Sequence, residues 1–113
     1  MGFPSIYNVP VDEDGFNIFS FENAQSHRDI DSAIFSKYNI KPTGYCVDPI
    51  SPSDMVGWLM RHQQMHDVFN GALSLSGNDL TGVDFRNKEQ MEIWIWLHSQ
   101  EHAAANLKLG ILS

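Results

Sequence analysis

His62, His66, His98 and His102 stand as two His-x-x-x-His pairs, His62-Gln-Gln-Met-His66 and His98-Ser-Gln-Glu-His102. In a helix, residues four apart share a face, so each pair offers two imidazoles as one clamp. Such a set has three chemical uses. It can bind a transition metal, with zinc the usual guest of imidazole and nickel or copper possible. Glu101 and Asp67 would then orient the ligands or add to them. Clamps on facing helices are how bundle metal sites are built, although the Glu-x-x-His motif of di-metal bundles is absent from both pairs. It can instead be a buried polar layer, bonded internally, to Asp67 or Glu101, or to Trp indole N–H groups. It can also line a contact with another subunit. The buried polar layer is the more ordinary use of such histidines.

Other chemistry is thin. His98-Ser-Gln-Glu-His102 matches His-x-x-Glu-His, the inverted zinc-peptidase motif. That motif needs a third ligand, a glutamate well downstream, and only eleven residues follow His102 in this sequence. Cys46 is the single cysteine, which excludes an internal disulfide and a thiolate cluster, and no activating pattern surrounds it. No Gly-x-Ser-x-Gly elbow and no Gly-rich phosphate loop is present. The expectation is a protein that is not an enzyme and has no obligatory cofactor, with zinc or another transition metal as the alternative.

The clamps need helices to hold them. Ser51 reads as an N-cap, with Pro52 at N1 and Asp54 at N3, opening a helix over about 51–73. Its inward stripe is Met55, Trp58, Leu59, His62, His66, Phe69 and Leu73. A turn-rich loop over 76–84 follows. The next helix covers about 87–109, with Gln90 as capping-box partner of Asn87 and Gly110 as the C′ residue after Lys108. Its stripe is Met91, Trp94, Ile95, His98, His102, Ala105 and Leu109. Ile93 and Trp96 fall off that stripe, so the helix is apolar over more than one face, which implies burial on two sides or one side offered to a partner. An antiparallel hairpin centred near residue 80 would set His62 level with His98. An earlier helix over about 20–38, capped by Ser20, carries His27, Ile30, Ile34 and Tyr38 as its stripe. Pro42 and Gly44 mark a linker.

Residues 1–19 read as an extended arm with apolar anchors, either docked on a neighbour or packed on its own domain. Asp12-x-Asp14 hints at a calcium loop, but the remaining positions of that motif are missing. The fold expectation is therefore mainly α: an extended N-terminal arm, one helix, then an antiparallel helical hairpin, with 20–113 as one small domain. Phe3, Tyr7, Phe16, Phe19, Trp94 and Trp96 are the expected interface residues.

Composition narrows the partners. With 113 residues the chain fits one domain with a modest core. Seven basic against fourteen acidic residues, a net charge of −7, disfavours nucleic acid. No apolar run is long enough to span a membrane. Met1-Gly2-Phe3-Pro4 lacks the basic and apolar regions of a signal peptide, and Ile6 stands where a myristoylation motif has Ser or Thr.

Trp58-Leu59-x-x-His62-Gln63-x-x-His66, followed by Ser76-Gly77-Asn78-Asp79-Leu80 and Val83-Asp84-Phe85, resembles a set of small uncharacterised proteins of tailed-bacteriophage genomes. The ending Trp94-Ile95-x-x-His98-x-x-Glu101-His102 is similar to theirs too, and the resemblance spans roughly residues 20 to 111. It carries no catalytic residues. It implies a gene among virion structural genes, hence a minor component of head, connector or tail, made in the host cytoplasm and located in the virion. The partners expected are virion proteins or further copies of the chain.

Overall fold

The computed structural model describes residues 13–43 and 52–111. Three helices make up most of them: α1 (Glu13–Tyr38), α2 (Met55–Leu73) and α3 (Lys88–Leu109), with a 3₁₀ turn, Pro52–Asp54, leading into α2. Among the described residues there is no strand. The mainly helical expectation holds.

Helix ends follow local chemistry. Asn87 accepts from the Gln90 backbone N–H at 3.1 Å, a side-chain N-cap. The Gln90 side chain reaches further back than a capping box would, and accepts from the Asp84 N–H at 2.9 Å. Gly110 closes α3 at φ 72°, the left-handed position a glycine takes without strain. Ser74 adopts the same conformation after α2, at φ 56°. The Leu75 and Ile111 N–H groups then donate to Asn70 O and Asn106 O, both at 2.8 Å. α1 begins well before Ser20, which is buried inside the helix and is not its cap. So residues 13–19, expected in an extended arm, belong to α1; the rest of the arm, Ser51 and Cys46 lie outside the described residues.

The helices pack in the same direction, which corrects the expected hairpin. In an antiparallel pair centred at residue 80, His66 and His102 would be eight residues out of level, about 12 Å. Their Nε2 atoms are 3.2 Å apart. Leu73 and Leu109, which would lie at opposite ends of a hairpin, share one cluster with Ile30, Ile34, Phe69 and Ala105. At the other end Phe19 packs with Trp58, Leu59, Leu80, Trp94 and Ile95. α1 follows the same polarity: Ser26 meets His102, and Lys37 donates to Leu109 O at 2.7 Å, a cation on the negative end of α3. The physical reason is the 74–87 connection. At about 3.3 Å per extended residue it is long enough to run back along α2, roughly 28 Å, and start α3 at the same end. Leu80 is buried in that run, and the Trp94 indole donates to its carbonyl at 2.8 Å.

The core thus has three layers. Apolar clusters close both ends, and a polar layer of histidines lies between them. Phe19 and Trp94, expected at an interface, are core residues at 1% and 4% exposure. Trp96 is exposed, as is Ile93, while Tyr38 leaves the expected stripe of α1 and faces water. Phe3, Tyr7 and the side chain of Phe16 lie outside the described residues.

Candidate metal centre

Parallel packing brings every histidine of the chain into one layer. His27 comes from α1, His62 and His66 from α2, His98 and His102 from α3, and all five are fully buried. One nitrogen of each ring lies within 4.8 Å of the other four. Four Nε2 atoms are closer still. His62 lies 2.9 Å from His98 and 3.1 Å from His66, and His66 lies 3.2 Å from His102. Two imidazole nitrogens bound to one ion at about 2.0–2.1 Å stand about 2.9 Å apart at a right angle and about 3.4 Å apart at the tetrahedral angle. The observed separations fall in that interval.

An sp² ring nitrogen has one direction of bonding, either an N–H or a lone pair. Nε2 of His62 faces two other Nε2 atoms, and so does Nε2 of His66. A hydrogen bond satisfies one such approach well, not two. A common ion satisfies all four.

Each clamp histidine has a neighbour that fixes it. Glu101 Oε1 accepts from Nδ1 of His66 at 3.0 Å, which leaves Nε2 of the neutral ring as a lone pair. Ser26 Oγ sits 2.9 Å from Nδ1 of His102 and can accept there with the same result. The indole of Trp58 stacks on His62, centroids 4.6 Å apart and planes 13° apart. Trp94 stacks on His98 in the same way, at 4.6 Å and 10°. The Trp94 indole holds its ring by the face rather than by an N–H bond, since its N–H goes to Leu80.

Glu101 is held in turn. Asn70 Nδ2 donates to Oε1 at 2.8 Å, while the backbone N–H and side-chain amide of Asn78 donate to Oε2 at 2.8 and 2.9 Å. The carboxylate therefore ties a histidine of α2 to the 74–87 connection. Asp67 does not join the site. It is exposed and accepts from Gln63 at 2.9 Å.

The rings are neutral. Burial, followed by neighbouring imidazoles, holds His27, His62, His98 and His102 well below the ordinary histidine range. Burial also lowers His66, against the opposing pull of Glu101. Burial pushes the Glu101 carboxyl up, but the bonds from His66, Asn78 and Asn70 outweigh it, and the group stays ionised. Neutral imidazoles with one carboxylate behind them are in the protonation state that metal binding needs.

Compared with known proteins, the chain matches no family model, no curated protein and no solved structure.

All four expected ligands meet in this layer. His27, expected only as part of a helical stripe, joins them, and Ser26, Asn70 and Asn78 enter as supports. One sequence signal was available. Trp58, Leu59, His62, His66, Asn70 and Leu73 recur 36 positions later as Trp94, Ile95, His98, His102, Asn106 and Leu109. Two helices with the same inward ladder match level for level when parallel, whereas an antiparallel pair sets the Trp of one against the Asn of the other.

Proposed function

We propose that this protein binds a divalent transition metal ion between its three helices, with His62, His66, His98 and His102 as ligands through Nε2. One observation carries the reading: three Nε2···Nε2 separations of 2.9 to 3.2 Å in a fully buried layer. Neither nitrogen of His27 makes such a contact among the described residues. An all-imidazole set without thiolate suits zinc, copper, nickel or cobalt and is a poor host for magnesium or calcium.

The test is native mass spectrometry of untagged protein with and without chelator, beside elemental analysis. The reading expects one transition-metal ion per chain, lost to chelator with a fall in thermal stability. Metal-free protein that takes up no zinc, copper, nickel or cobalt ends it, and leaves the histidines as a polar core.

A second reading is compatible with the first. The phage resemblance suggests a non-enzymatic virion subunit, and exposed Ile18 and Phe21 on α1 with Ile93 and Trp96 on α3 supply apolar surface for an assembly contact. No helix among the described residues is long and apolar enough to cross a membrane. Sedimentation of the purified chain tests this reading: a strict monomer at high concentration argues against self-assembly.

A further inference from the structure

The α1 side of the histidine layer differs from the other two. His62, His66, His98 and His102 each have an oriented neighbour. His27 and Asn23 stand one turn apart on the inward face of α1. Both are 0% exposed. Among the described residues, neither nitrogen of His27 and neither amide atom of Asn23 has a hydrogen-bond partner. Four buried polar atoms without partners in two neighbouring side chains are unusual in a folded protein and call for a ligand or another partner.

Their place is fixed from both sides. Phe19, one turn before Asn23, lies 5.7 Å from the His98 ring. The His27 ring stands edge-on to His62, His66 and His102, with centroids 5.0, 4.8 and 4.6 Å away. Asn23 lies between Phe19 and His27 in α1, a turn from each, and is buried like them. His27 is also poorly placed to be a fifth ligand. Neither of its nitrogens is within hydrogen-bonding reach of another histidine nitrogen, whereas the other four are linked at 2.9 to 3.2 Å.

We propose that the metal keeps one exchangeable coordination position on the α1 side, for a small donor of one to three atoms such as water, hydroxide or azide, with Asn23 and His27 hydrogen-bonding to it. This rests on the metal reading above. An amide and a neutral imidazole together supply the donors and acceptors that such a ligand needs, and its binding satisfies the atoms that the helix leaves unpaired. With four imidazoles already bound, the exchangeable position is a fifth one, reached by expanding the tetrahedral shell to five-coordinate.

The test loads the full chain with copper(II), verifies one ion per chain by elemental analysis, and titrates azide while following the ligand-to-metal charge-transfer absorption. The expected result is a saturable new band. Asn23→Leu and His27→Phe should keep the copper and weaken azide binding about tenfold or more, the loss of a hydrogen bond to a charged group. Far-ultraviolet circular dichroism verifies that both variants fold, and Asn23→Ala repeats the test with a smaller side chain. Copper bound one to one with no azide band overturns the open position while sparing the metal reading. Loss of copper from His27→Phe makes His27 a ligand and overturns its role here. Failure of the native chain to take up copper, zinc, nickel or cobalt overturns both.

Discussion

Glu101 Oε1 lies 3.0 Å from Nδ1 of His66, and both side chains are out of water. A carboxylate behind a histidine fixes the tautomer and raises the basicity of the nitrogen facing the metal. Glu101→Gln keeps the size and loses the charge. Metal affinity should fall about 10- to 100-fold, measured by competition with a chromophoric chelator. An unchanged affinity would show that His66 is not a ligand.

Acid should destabilise the metal-free chain. The five histidines have folded-state values below the unfolded one, so the unfolded chain binds more protons. Their contribution is complete above the unfolded value, about pH 6.5, and is lost as pH falls below it. Each can add up to about 1.4 kcal/mol per pH unit to the slope. Asp31 has the opposite sign, since burial raises its carboxyl to about 6, but it is one group against five. Urea titrations at several pH values between 7.5 and 5 should show the midpoint collapsing on the acid side. A flat profile would mean that the histidines are not buried neutral.

Gly77 passes close to the support of Glu101. A Cβ there would meet Asn70 Nδ2 at 2.8 Å. Gly77→Ala must push that amide away, and the amide holds Glu101 Oε1. The expectation is a loss of about 1–3 kcal/mol in thermal or urea unfolding. Gly82→Ala, with open space around it, is the control and should cost little.

Parallel packing can be measured as a distance. Gly71 and Leu107 are both exposed and sit at one level on α2 and α3. Spin labels on Gly71→Cys and Leu107→Cys, with Cys46 replaced by Ser, should report a short separation. In an antiparallel hairpin centred at residue 80 the two sites would be about 27 Å out of level.

The helices and four of the histidines were legible because helical spacing and caps are local signals. Asn87, Leu73 and Gly110 mark ends where the sequence places them. His27 was legible only as one inward position, since a lone histidine makes no pair within its helix. Its neighbours come from residues far along the chain, through packing that periodicity does not encode. The direction of α3 went wrong for a similar reason: a loop rich in turn residues suggests reversal, yet 74–87 uses its length to return. Trp58 read correctly as an inward residue, and Trp94 as inward in its helical stripe although it was also expected at an interface; their ring-on-ring placement over His62 and His98 depends on side-chain angles.

The common polarity of the three helices also bears on how fast the chain finds its fold. Small helical bundles usually form quickly because their contacts join neighbours in sequence. Here the contacts that close the histidine layer across helices join residues 35, 36 and 76 positions apart. Two long loops must close before that layer exists, and each closure costs entropy before any contact repays it. Stopped-flow refolding should therefore be slow for a helical protein of this size, with the polar centre among the last parts to assemble.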